Sequence, residues 1–236
     1  MSFFFAQTSG IEFFEFQHFM IISIMIIVCV FLPLIARMRF GPDLKLWISR
    51  GISILVSACV VGAISFRWLT GSFDWHEDLP FDLCNLFGLL LPILFWRNPP
   101  KRMIEILYYL ILGGTLQGVL TPDIDQPFPH LLFMTYWIVH CGLVIHIIYV
   151  IVVWRIYPRI IGVINSLLFV NAYALIIFIF NYFAGSNYLY LMEKPRAGSL
   201  LDFLGPWPWY ILSAEFLGLL IFCLAWLPFA RFNSSK

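Results

Sequence analysis

Leu131-Leu132-Phe133-Met134-Thr135-Tyr136-Trp137-Ile138-Val139-His140-Cys141-Gly142-Leu143-Val144-Ile145-His146-Ile147-Ile148-Tyr149-Val150-Ile151-Val152-Val153-Trp154 contains no Asp, Glu, Lys or Arg. It is entered through Phe128-Pro129-His130 and closed by Arg155. At about 1.5 Å per helical residue, such a run crosses a hydrocarbon core, which takes roughly 17–25 apolar residues. It also carries a histidine far from either end. A charged imidazole in hydrocarbon is costly, so His140 marks a candidate functional site, and the chain must supply a group to meet it.

The rest of the chain has the same character. Of 236 residues, 61% are hydrophobic and 11% charged, and the mean hydropathy is +0.90. Soluble domains carry roughly 25% charged residues. The composition therefore implies an all-α, polytopic membrane protein in which residues 1–236 form a single integral membrane domain. Seven apolar runs are long enough to span, at 17–36, 46–68, 80–96, 103–121, 131–154, 160–184 and 208–230. The third is the shortest. Gly41-Pro42, Pro99-Pro100, Pro122, Pro127, Pro158 and Pro206 mark the breaks. The N-terminus lacks a basic stretch followed by a small-residue cleavage site, so the first run reads as a retained span.

Loop charge sets the expected topology through the positive-inside rule. Arg37, Arg39, Lys45 and Arg50 flank the first loop, Arg97, Lys101 and Arg102 the third, and Arg155 and Arg159 the fifth. Arg231 and Lys236 follow the last span. The second loop holds Asp74, Glu77, Asp78 and Asp82 beside Arg67, and the fourth holds Asp123 and Asp125. The sixth is mixed, with Glu193, Lys194, Arg196 and Asp202. The N-terminus is expected outside and the C-terminus in the cytoplasm. The basic loops report topology, not nucleic-acid binding. No internal repeat supports an inverted-repeat transporter.

Counting from the cytoplasmic ends at about 1.5 Å per residue places Cys84, Thr115, Gln117, His140, Asn171 and Glu215 about 18–21 Å up. Polar side chains from five spans thus share one layer and should face one another or water, in a cavity opening outward. His76, Asp82, Asn85, Asp123, His130, Asn181, Asn187, Tyr188 and Tyr190 are candidates for its rim.

Cys84 lies near the N-terminal end of its helix, where a thiolate is favoured, as it is beside an imidazole. A cysteine–histidine pair needs no metal or cofactor. The histidine removes the thiol proton, the thiolate attacks an acyl carbonyl, and a thioester forms. The five cysteines, Cys29, Cys59, Cys84, Cys141 and Cys223, form no Cys-x-x-Cys pair, which argues against a disulfide framework or zinc site. Cys29, Cys59 and Cys223 read as small packing residues. Cys141 diverges from His140 by roughly 100° on the helix and reads likewise. Alone, His140 reads as a hydrogen-bonder between helices, His130 as an interfacial helix cap and His146 as structural. Glu215 is open to two readings: a proton-relay or counter-ion carboxyl, or a structural one bonded to Gln117 or Asn171.

Several blocks of sequence carry a resemblance. They are Leu79-Pro80-Phe81-Asp82-Leu83-Cys84-Asn85, Gly113-Gly114-Thr115-Leu116-Gln117-Gly118, Thr121-Pro122-Asp123, Phe128-Pro129-His130 and Trp137-Ile138-Val139-His140. Asn187-Tyr188-Leu189-Tyr190, Lys194-Pro195, and the run from Ser199 through Asp202 and Gly205-Pro206-Trp207-Pro208-Trp209-Tyr210 complete them. With these the chain resembles the YwaF-like family of bacterial integral membrane proteins, related to the eukaryotic transmembrane protein 164. The resemblance implies a seven-span fold and a cysteine-dependent lipid acyltransferase that works without acyl-CoA. Carried over, Cys84 is the acyl-accepting nucleophile and His140 its base. The implied partners are membrane phospholipids and lysophospholipids, and the implied location is a bacterial cytoplasmic membrane.

The leading expectation is an intramembrane acyltransferase that moves fatty acyl chains between phospholipids. Asp82, Asn85, Gln117, Asp123, His130, Asn171, Asn187, Tyr188 and Glu215 are supporting or substrate-binding candidates. Gln117 or Asn85 would donate to an oxyanion, and Glu215 would orient His140. The alternatives are a lipid hydrolase with the same pair, or a non-enzymatic transporter or receptor.

Overall fold

A computed structural model describes residues 16–97, 99–124, 126–194 and 200–233. Asp125, Pro195, Arg196, Ser199 and Lys236, used above for charge or resemblance, lie outside them. No strand occurs among the described residues, and seven helices dominate. They are α1 (Phe16–Arg39), α2 (Pro42–Leu69), α3 (Leu83–Trp96), α4 (Lys101–Leu120), α5 (Leu131–Trp154), α6 (Ile160–Ala184) and α7 (Trp209–Trp226).

Six of these helices are long and apolar enough to cross a membrane, and the large apolar side chains they leave exposed suit contact with lipid. The protein is an integral membrane protein. The exception is α3, which has 14 residues where the sequence suggested a span over 80–96. The shortfall has a local cause. Pro80 and the extended backbone of Asp82 keep the preceding residues out of the helix, and their polar groups find tyrosines instead. The Leu79 N–H donates to Tyr188 Oη at 2.9 Å, and Tyr173 Oη donates to the Phe81 carbonyl at 2.6 Å.

The helix that carries His140, α5, is central in space. Buried residues occur all round it, including Thr135, Trp137, Leu143, Val144, His146, Ile147 and Tyr149. A helix that is apolar on every side suits such a position. It packs against α1 and α2, while α2 also packs on α3, and α4 packs on α6. Backbone approach on the α2 face depends on missing side chains. A Cβ on Gly142 would lie 2.5 Å from Val56 Cγ2, and one on Gly88 2.8 Å from Val60 Cγ2. Small residues of this kind set helix spacing in lipid, where dispersion contacts replace much of the hydrophobic drive. Gly88, one turn beyond Cys84 on α3, thus spends its missing side chain on helix packing.

Buried polar groups tie these helices together. His146 Nε2 lies 3.0 Å from Ser49 Oγ and 3.1 Å from Ser53 Oγ, fastening α5 to α2. His18 Nε2 donates to the Val119 carbonyl at 2.8 Å, joining α1 to α4. Glu105 on α4 is 2% exposed and receives two bonds from Arg159, at 2.8 and 3.1 Å. A two-pronged guanidinium–carboxylate contact of this kind is strong and fixes orientation.

The Glu105–Arg159 pair gives an asymmetric prediction. Arg159→Ala strands a buried carboxylate and is expected to cost a few kcal/mol, whereas Arg159→Ala with Glu105→Gln recovers part of the loss. Thermal unfolding in detergent measures both. Equal destabilisation by the single and double variants would contradict the assignment.

Candidate functional site

The site is built on an irregular turn of α4. Residues Ile111–Thr115 form a single π-helical turn within that helix. Such turns are uncommon and frequent at functional sites. The sequence signal for it is Gly113-Gly114. Thr115 closes the turn and is 1% exposed. Gly118 follows three residues later, on the same helical face.

Two groups from other helices converge on this stretch. The half-buried Cys84, at the start of α3, donates its thiol to Thr115 Oγ1 at 3.4 Å. From α5, the His140 ring lies against Gly118. A Cβ there would sit 2.9 Å from Nε2 and 2.7 Å from Cδ2. No hydrogen bond joins Cys84 to His140 directly. They meet through neighbouring positions of one helix.

The tautomer of His140 follows from its partner. Nδ1 lies 2.9 Å from the Tyr136 carbonyl oxygen, and a carbonyl can only accept, so Nδ1 carries the proton. Nε2 then holds a lone pair, and it has no hydrogen-bond partner among the described residues. Tyr136 also stacks on the imidazole, with centroids 3.9 Å apart and planes at 24°. Its hydroxyl donates to the Gly118 carbonyl at 2.8 Å and accepts from the Asp123 N–H at 3.4 Å. Backbone, ring and loop together hold the imidazole in one orientation.

Asn171 and Glu215 form a separate pair. Asn171 donates to Glu215 Oε1 and to the Leu167 carbonyl, the latter at 2.9 Å. Both line a pocket of about 240 Å³ between α6 and α7, with Leu83, Gly113, Gly114 and Phe222. The polar layer read from the sequence therefore divides. Cys84, Thr115 and His140 lie around the α4 turn, and Asn171 and Glu215 face the α6–α7 pocket. Glu215 does not orient His140: its partner is Asn171, and the Tyr136 carbonyl holds the imidazole. Gln117, the other partner proposed for Glu215, makes no side-chain bond among the described residues, and neither does Asn85. Their amide donors remain available.

The remaining candidates form a cover over this end of the bundle. Asn187 Oδ1 accepts from the N–H groups of Met192 and Glu193 at 2.9 and 3.2 Å. Asp82 Oδ1 accepts from the Leu189 N–H at 3.3 Å, and Asp123 Oδ2 accepts from Tyr190 Oη at 3.1 Å. Buried Tyr188 donates to the Trp75 carbonyl at 2.7 Å. Leu189 and Tyr190 adopt φ of 60° and 53°. Left-handed backbone at non-glycine residues costs of order 1–3 kcal/mol each and persists only where its surroundings enforce it. His130 caps α5 by accepting from the Leu132 N–H at 3.2 Å. Sequence reasoning passed over Tyr136 and Gly118. An aromatic four residues before the histidine was the available signal.

Fold and candidate site together define a helical integral membrane protein with a thiol at the end of one irregular helical turn and an oriented imidazole three residues further along the same helix. Residues 13–226 match the TMEM164 family. The chain belongs to that family. No curated protein and no solved structure matches it.

Two glycines separate crowding from open space. Gly118→Ala forces the imidazole aside and is expected to cost about 1–3 kcal/mol, as overpacking does. Gly114, with nothing within 4 Å of an added Cβ, should accept Ala at no cost or with a small gain in helix propensity. Thermal unfolding in detergent ranks the two, and the reverse order would contradict the geometry.

Proposed function

We propose that the protein is an intramembrane acyltransferase that moves fatty acyl chains between phospholipids, with Cys84 as nucleophile and His140 as general base. The observation carrying this reading is the shared approach of the Cys84 thiol and the unprotonated His140 Nε2 to the Thr115–Gly118 stretch of α4. Such a nucleophile–base pair commonly tightens only when substrate binds.

Nε2 takes the thiol proton and the Cys84 sulfur bonds to the ester carbonyl carbon of a donor phospholipid. The ester C–O bond breaks, and the leaving glycerol oxygen takes the proton from Nε2. This yields a lysophospholipid and an acyl-Cys84 thioester. The hydroxyl of an acceptor lysophospholipid gives its proton to Nε2 and attacks the thioester. The thiolate leaves and recovers the proton. Gln117 and Asn85 carry amide N–H groups suited to the oxyanion. No metal or redox cofactor enters these steps.

We also propose seven spans, with α3 completing the bundle as a short crossing together with the loop before it. The N-terminus lies outside, as the basic residues of the odd-numbered loops favour. In this orientation the Cys84–His140 cluster lies toward the outer leaflet, and a bacterial cytoplasmic membrane is the setting that the charge asymmetry and the resemblance support.

Proteoliposomes containing a phospholipid with a labelled acyl chain test the reaction. Added lysophospholipid should become labelled diacyl product with the wild-type protein, while Cys84→Ala and His140→Ala should lower the rate by at least about 100-fold, the low end for loss of acid–base catalysis. Label released only as free fatty acid, even with acceptor present, would make the protein a hydrolase. Transfer undiminished in Cys84→Ala would overturn the mechanism.

A further inference from the structure

A second pocket, of about 440 Å³, lies between the end of α2 and the loop entering α5. Arg67, Asp123, Gln126, His130 and Tyr136 are among its lining residues, and Arg67 is the single cation among them. Arg67 Nη1 forms an ion pair with Asp78 Oδ1 at 3.1 Å. The side chain of Asp78 is 7% exposed, and its other oxygen is held by the Asp74 N–H at 2.8 Å. Arg67 is thus anchored by one ion pair, and its guanidinium donates no hydrogen bond among the described residues. Burial, and then the Arg67 charge, push His130 below its ordinary titration range. His130 Nδ1 accepts from the Leu132 N–H, which places the ring proton on Nε2.

The pocket adjoins the candidate site through Tyr136, which lines it with one part of the ring system while stacking on His140. In a glycerophospholipid the phosphate lies only a few bonds from the ester carbonyls. A phosphate held beside Arg67 would therefore bring its ester toward the Tyr136–His140 side.

We infer that this pocket is a phosphodiester-recognition site, in which Arg67 binds the headgroup phosphate of a glycerophospholipid and so positions its ester for the reaction proposed above. The inference rests on that reading for its purpose but not for its test. Guanidinium groups suit phosphate because their planar array of donors matches its oxygens. Asp123, fixed by Tyr190, stands on the pocket wall as an opposing charge. A phosphodiester carries one negative charge. A free phosphate approaches two and meets more repulsion there. The pocket therefore favours a headgroup over the free ion.

Binding to Cys84→Ala protein in detergent separates recognition from turnover. The probe is dihexanoylphosphatidylglycerol, and dihexanoylglycerol is the phosphate-free control. Arg67→Gln with Asp78→Asn removes both ends of the ion pair together. It should weaken binding of the phospholipid by about tenfold or more, the scale of a lost charge-assisted hydrogen bond, and leave the control unchanged. Arg67→Lys keeps a charge for Asp78 and serves if the double variant does not fold. It too should weaken the phospholipid alone. Equal affinity, or equal loss for both ligands, would overturn the inference. Inorganic phosphate should not compete at matched concentration, and competition would make the pocket a free-anion site instead. Arg67-dependent binding without any acyl transfer would refute the proposed reaction and leave the recognition site standing.

Discussion

One hydrogen bond determines what His140 can do. Its Nδ1–H is committed to the Tyr136 carbonyl one turn back along α5, so the other nitrogen keeps a lone pair facing α4. The same tyrosine stacks on the ring and bonds the backbone of Gly118. A histidine in apolar surroundings could satisfy itself in many ways. Here the satisfaction is entirely local and leaves one nitrogen over. His146 also leaves one nitrogen over, but its unpartnered Nδ1 is fully buried and its Nε2 is engaged by two serines of α2, whereas the half-buried His140 turns its spare nitrogen toward Gly118 of α4.

Most of the helix pattern was legible from apolar run length. The runs 131–154 and 160–184 coincide with α5 and α6, because Arg155, Pro158 and Arg159 sharply interrupt the apolar pattern between them. The third run misled for a definable reason. Its first residues are apolar enough for a span, but tyrosines far along the chain take up their backbone groups, and the helix begins only at Leu83. Tyr188 and Tyr173 lie about a hundred residues from these partners, beyond the reach of local pattern. Depth estimates likewise put Asn171 and Glu215 at the level of Cys84. Depth carries no azimuth, so the division of that layer between the α4 turn and the α6–α7 pocket could not be read from it.

The polar chemistry at this end of the bundle is mostly architectural. Asp82 and Asp123, acidic residues at opposite edges of the cluster, are both bound by the turn carrying Leu189 and Tyr190. That turn is held in left-handed backbone, and Tyr210 Oη donates to the Tyr190 carbonyl beneath it. Asn181 braces it from α6 through the Tyr188 N–H at 3.0 Å. The cover thus links α3, the loop after α4, α6 and α7 above the thiol and imidazole. Membership of the TMEM164 family over residues 13–226 embraces all of these elements. The described residues of the blocks that carry the sequence resemblance include the α4 turn, the two approaching side chains and much of this cover.

The central claim is that Cys84 carries the acyl group between two lipids. Intact-protein and peptide mass spectrometry after incubation with donor phospholipid, without acceptor, addresses it most directly. The account predicts one acyl adduct on Cys84 that hydroxylamine removes and that does not form in His140→Ala. Turnover without any adduct on Cys84, or an adduct mapping to another residue, would contradict it.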